Sequence, residues 1–301
     1  MARRIDARIW DISHGLLEIR SYPPGALAPV SDLFEAVGSG TIDAAFAPIE
    51  PIGMKFPALA LFGGVPFGPD VAEFLGWMEF GGGQSLLQEI NEQHGVHGLV
   101  CGLLPSSAFG WFRQELQSPQ QLRGLHMNAS GLAGKVLQRL GAEVADLPSG
   151  ELILAIEQGT IDAVTWSSPM LDKQMAFGTW LKNYYPQGWN QSLTVLALMI
   201  NKKKWQSLNA MQRAQIQTVC GDNIQQSIAE GEAGQFTALQ QMYGAGVHLH
   251  RLPPSVRDAL ERAWQQVVQQ ESSDDAQFRK VWQSLAAFRG DFAVWRELSR
   301  P

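Results

Sequence analysis

Apolar and polar positions along this chain follow two rhythms. Leu33, Phe34, Ala36 and Val37 fall at helical spacing, and so do Leu152, Ile153, Ala155 and Ile156. Each stretch runs into the same five residues, Gly-Thr-Ile-Asp-Ala, at 40–44 and again at 159–163. Gly40 and Gly159 suit the left-handed conformation that ends a helix. Thr-Ile-Asp-Ala then opens a run whose residue types suit a buried strand. Prolines follow: Pro48 and Pro51 after the first copy, Pro169 after the second. The pattern predicts two lobes, each with a helix, glycine stop, strand and turn, and parallel sheets covered by helices. In such sheets ligands bind beyond the carboxyl ends of the strands. Phe46, Pro48 and Glu50 on one side, and Thr165, Trp166 and Ser167 on the other, are therefore expected at a cleft between the lobes.

The rest of the chain continues the alternation. Pro69 and Asp70 open a predicted helix. "GVHGLVCGLLPSSAFGWF" reads as a strand running into a polar interruption, "LRGLHMNASGLAGKVLQRLG" as a short strand and a helix, and "SLTVLALMINKKKWQSL" as an apolar strand, a basic turn and a helix. The C-terminal region is helical, with Trp264, Val267 and Val268 at core spacing.

Composition narrows the function. The chain has 301 residues, enough for about two domains, and 45% of them are apolar. A formal charge of −6 argues against nucleic acid as a partner. No run of about 18 apolar residues predicts a membrane span. The three glycines at 81–83 lack a phosphate-loop pattern. The His94/His97 and His248/His250 pairs have no further ligand at a known metal spacing, and no Gly-x-Ser-x-Gly elbow is present, so an enzyme is not expected. Cys101 and Cys220 are read as two buried thiols, with a disulfide as the alternative.

Several pieces in order resemble the solute-binding proteins of tripartite ATP-independent periplasmic (TRAP) transporters, DctP type: "LEIRSYPPGAL", "VPFG", "EFLGWMEFGGGQSLLQE", "GWFRQEL", "AIEQGTIDAV", "YYPQGW" and "FRKVWQSLAAFR". "GWFR" and "YYPQGW" are similar to the branch that binds α-keto acids and related monocarboxylates. The resemblance implies an α/β, type II-like two-lobed fold with parallel-rich sheets and an interlobe ligand cleft. Residues 1–104 plus 193–234 would form lobe I, and 105–192 plus 235–301 lobe II with the C-terminal helices. The implied function is capture of a small organic acid or related polar solute in the periplasm and its delivery to a membrane permease. A homodimer through the C-terminal helices is also implied. The pocket would take Ser107, Trp111, Asn128, Thr165, Trp166, Tyr185 and Trp189.

Two of these positions depart from the family. Where the family has an arginine for the ligand carboxylate, this chain has Asn128, which carries no charge. The ligand is then neutral, or another cation such as His126 serves. Where the keto-acid branch has a carboxylate that helps hold a bridging Na⁺ or Ca²⁺, this chain has Thr165, a weaker ligand for a hard cation. No cofactor or bridging metal is therefore expected. Relative to the family, "ARRIDARIWDISHGLLEIR" matches only the end of the first long helix and the strand after it; the signal peptide, first strand and start of that helix are not matched. Either the start is mis-set, or the chain is a degraded or repurposed copy.

Overall fold

The computed structural model describes residues 1–299. The first lobe begins with α1 (Ala2–Ile12), α2 (Leu33–Ser39), β1 (Ala44–Pro48), α3 (Pro57–Gly63), α4 (Val71–Phe80), α5 (Gly83–Gln93) and β2 (Val96–Leu104). The chain then crosses to the second lobe. There it forms β3 (Gly110–Phe112), β4 (His126–Asn128), α6 (Gly131–Arg139), β5 (Glu143–Ala145), α7 (Ser149–Glu157), β6 (Ala163–Val164), α8 (Pro169–Asp172) and β7 (Asn183–Tyr185). It crosses back as β8 (Thr194–Asn201) and α9 (Lys202–Ser207). The long α10 (Ala210–Gly244) then leads to β9 (His248–Leu249), α11 (Pro254–Asp274) and α12 (Ala276–Ser299).

Both Gly-Thr-Ile-Asp-Ala copies do the same structural job. Gly40 and Gly159 have φ of +81° and +74°, beyond the reach of most side chains without strain. Ile42 and Ile161 turn into the core. The strands β1 and β6 each start at or beside the motif's final alanine, Ala44 and Ala163. Parallel pairing holds for β5–β4–β6 and for β7–β9. It does not hold around the strands that carry the crossings. In the three-stranded sheet β1–β8–β2, β8 is antiparallel to both neighbours, and in the six-stranded sheet β5–β4–β6–β3–β7–β9, β3 is antiparallel to both of its own. A chain that leaves one sheet for the other and returns enters the second run in the opposite sense.

Two expectations need correction. Residues 17–22 do not form a strand beside β1. Leu17 and Ile19 pack against α1's core face, and Asp6 of α1 accepts hydrogen bonds from Ser21. The outer edge of β1 borders a largely apolar groove of about 240 Å³, where Phe46 and Pro48 lie with Pro23 and Pro24. Second, Cys101 and Cys220 are joined as a disulfide between β2 and α10.

The disulfide sits at an irregularity in β2. The register against β8 shifts between Val100 and Gly102, so Cys101 is the extra residue of a β-bulge. A bulge leaves backbone groups outside the ladder. Here α10 supplies their partners: the buried Asn223 donates to the Cys101 carbonyl, and the buried Ser227 hydroxyl accepts from Leu103 N at 3.0 Å. Arg4 of α1 donates to Asn223 Oδ1 at 2.9 Å. At its other end α10 reaches the second lobe, where Gln235 accepts from Met170 N at 3.0 Å. Helix α11 packs on α6, and α12 returns to α3, α4 and α5.

The bridge closes a loop spanning 119 residues. Replacing both cysteines, Cys101→Ser with Cys220→Ser, is expected to lower unfolding free energy by about 2–5 kcal/mol. Urea denaturation of oxidised wild type and of the double variant measures it.

Candidate functional site

The two crossing segments run side by side. Ser107 N donates to the Gln191 carbonyl at 3.0 Å, and Ser106 Oγ donates to the same oxygen at 3.1 Å. The approach is so close that a Cβ on Gly188 would lie 1.8 Å from the Ser107 carbonyl oxygen. Gln191 then anchors the crossing to the first lobe, its Nε2 donating to Gly63 O at 2.9 Å and to Thr194 Oγ1 at 3.0 Å.

Beside this junction a cavity of about 60 Å³ lies between the lobes. A single water needs roughly 10–15 Å³ of such space, so the cavity takes a handful of non-hydrogen atoms. Glu50 faces it from the first lobe and Ser130 from the second, and Ser130 Oγ donates to Glu50 Oε1 at 2.7 Å, tying the lobes together. The carboxylate lies at the N-terminus of α6, where the helix dipole favours a negative charge. Gly131 makes room for it: its φ is +56°, and a Cβ there would stand 2.7 Å from Glu50 Oε1. Burial pushes the Glu50 carboxyl above its ordinary range, the Ser130 hydrogen bond opposes this, and the charge of Asp146 adds to it.

Thr165 and Trp166 complete the wall with Asn190 and Gln191. Thr165 N donates to Asn128 O and its Oγ1 to Phe109 O, both at 2.9 Å. Trp166 is 37% exposed and meets Phe177 edge-on, ring centres 5.9 Å apart. Asn190 is only 4% exposed, and its Oδ1 has no hydrogen-bond partner.

Of the seven residues expected in the pocket, the structure places Thr165 and Trp166 on this cavity. Ser107 lies buried in the crossing just behind it. Trp189, next to Asn190 in the chain, packs against Phe67 and Phe109 with its Nε1 buried and unpartnered. Asn128 is buried and its Oδ1 accepts from Leu147 N at 2.8 Å, so its side chain fixes a loop. Trp111 is in the second lobe's core. Tyr185 is fully buried, its hydroxyl bonded to Leu116 N and O. His126 points away, to Glu143 at 3.0 Å and Asp162 at 3.6 Å on the exposed face. Of the six residues expected after the repeated motif, Glu50, Thr165 and Trp166 reach the cavity.

Asp172 was invisible to sequence reasoning, a lone acid with no partner at a telling spacing. It is fully buried under the Trp166 loop. Its Oδ1 accepts from Ser167 N at 2.7 Å, and its Oδ2 from Trp111 Nε1 at 3.2 Å and Tyr184 Oη at 3.1 Å. Burial raises its pKa to about 8, although all three hydrogen bonds pull the other way. Between the unfolded value near 3.8 and about 8, the folded state holds a proton that the unfolded chain has released. This contribution is therefore complete below pH 4 and is lost as pH rises to 8. Asp172→Asn is expected to flatten that fall by at least about 1.4 kcal/mol, the equivalent of one pKa unit. Urea denaturation at pH 5 and pH 8 tests it.

Metal-binding capacity is thin. Among the described residues, no group of three or more His, Cys, Asp and Glu is placed to hold a metal ion. The cavity offers one carboxylate, from Glu50, with the neutral oxygens of Asn190, Gln191 and Thr165. Ca²⁺ takes six to eight oxygen ligands, waters among them and preferably charged; here Glu50 is the one charged donor, and Ser130 adds a hydroxyl already bonded to it.

Two lobes joined by paired crossing strands, with polar side chains from both meeting around a small cavity, define a two-lobed solute-binding protein. Residues 2–274 match the family of bacterial extracellular solute-binding proteins, family 7 (DctP). The chain belongs to that family, and it is a TRAP transporter solute-binding protein. It is 28% identical over 298 residues to the monocarboxylate 2-oxoacid-binding periplasmic protein of Nostoc sp. (strain PCC 7120), covering 99% of this chain and 82% of that one. Among solved structures it is similar to a TRAP transporter solute-binding protein from Bordetella bronchiseptica RB50, crystallised as a dimer with calcium and picolinate in one site. The TM-score is 0.94 at 29% identity, covering 99% of this chain and 89% of that one. The protein from Pseudoalteromonas atlantica T6c with bound sodium and pyruvate aligns at a TM-score of 0.91 and 26% identity, covering 99% and 91%.

Proposed function

We propose that this protein captures a small polar solute, of the size of pyruvate or picolinate, in the cavity between Glu50, Ser130, Thr165, Trp166 and Asn190, and passes it to a membrane permease. The observation that carries this reading is the cavity itself, whose walls come from both lobes and meet through the Ser130–Glu50 hydrogen bond. Binding there ties the lobes further, which is what a permease needs to tell a loaded receptor from an empty one. The reading includes no bridging Na⁺ or Ca²⁺, in keeping with a single charged donor, Glu50, on the wall. It places the protein in the periplasm, where its disulfide persists. It also includes a homodimer through the C-terminal helices, supported by the exposed Val294, Trp295 and Leu298 at the end of α12.

A thermal-shift screen of monocarboxylates, polyols and small amines tests the receptor role. A ligand at about 100 times its Kd should stabilise the protein by roughly 2.7 kcal/mol. Stabilisation by one chemical class, with a matching compaction in small-angle scattering, is the expected result. No response from any class, together with turnover of an ester or keto acid, would overturn it.

A further inference from the structure

The chemistry of the cavity wall goes further than its existence. The small organic acids held by the relatives are anions and call for a cation or a set of aimed donors. No arginine, lysine or histidine lines this cavity. The nearby Lys135 lies outside it and is engaged with Glu271 at 2.7 Å. Donors on this wall are neutral, the Asn190 amide nitrogen and the first N–H groups of α6, whereas its one ionisable side chain, Glu50, is an acceptor. One oxygen of the Glu50 carboxylate takes the Ser130 hydrogen bond, and the other has no hydrogen bond among the described residues. Asn190 Oδ1 is buried without a partner, a state that costs free energy until a donor arrives. Thr165 spends its only hydroxyl proton on Phe109 O, so toward the cavity it too can only accept. Trp166 adds an aromatic wall, which favours a cation over its face.

We infer that the cavity is built for a small solute with a cationic amino group, its N–H donors shared between Glu50 and Asn190 beside the Trp166 ring. A primary ammonium has three donors and no acceptor, which complements this wall. An entering carboxylate would instead meet the Glu50 carboxylate at close range. The inference rests on the receptor reading above and names the ligand class of the same site. Glu50 is its specificity-determining residue, and the departure from acid binding follows from a carboxylate standing at the cavity with no cationic side chain beside it.

Isothermal titration with ethanolamine, pyruvate and glycerol, each in Na⁺-free buffer and again with Na⁺ or with Ca²⁺, decides the matter on the wild-type protein alone. Ethanolamine is expected to bind without help from either cation, and pyruvate not to bind. Glu50→Gln keeps the shape but removes the charge, and is expected to weaken ethanolamine about 30-fold or more. Binding of pyruvate but not ethanolamine would overturn the inference while leaving the receptor role intact. Pyruvate binding that requires Ca²⁺ or Na⁺ would overturn it too, by making Glu50 part of a metal bridge, and so would binding of glycerol alone. Silence from all three probes would overturn the inference, and the wider thermal-shift screen then decides the receptor role separately.

Discussion

The attachment of β2 to α10 is the constraint on which the rest of the molecule depends. The bulge at Cys101 breaks the ladder, and three groups on one helix repair it: a disulfide, an amide and a hydroxyl. Because β2 leads directly into the crossing at Ser106–Ser107, fixing β2 fixes where the second lobe begins. Because α10 runs on to Gln235 and the Ser168–Met170 turn, the same helix fixes where the Trp166 loop ends. The two walls of the cavity are thus referred to one rod. Small errors at the bulge would be carried to the ligand site rather than absorbed in a loop.

Much of the architecture was legible in the sequence, and for a local reason. A glycine at positive φ after an amphipathic helix and before a buried strand is a short-range device, so the two Gly-Thr-Ile-Asp-Ala copies announced their own structure. The apolar strand that runs into a polar interruption at Ser106–Ser107 was also readable. Strand direction was not. The antiparallel placement of β8 and β3 depends on which sheet the chain has just left, and no window of residues records that. The disulfide was missed for the same reason: Cys101 and Cys220 meet through the packing of a bulged strand on a helix.

The site was less legible than the fold. Large aromatics in family-like pieces, Trp111 and Tyr185, went to the core, because a buried ring beside a hydrogen-bonding partner satisfies packing without any ligand. Asn128 kept the family's position but turned its amide to Leu147 N, a use open to a neutral side chain in place of a long charged one. Glu50 lay among the expected cleft residues, yet its weight came only from what surrounds it: Ser130, Gly131, the start of α6 and the absence of a cation from the wall. Charge balance in a cavity is a property of residues far apart in sequence.

The open edge of β1 has a consequence of another kind. An unpaired strand edge is a template on which another chain can add, and exposed edges are a common origin of aggregation. Here the edge is guarded by residues that cannot take part. Pro48 closes the strand without an N–H to offer, and Pro23 and Pro24 stand across the groove. An incoming strand would meet rings where it needs donors. Along this edge the prolines interrupt the row of hydrogen-bonding groups that an added strand would need.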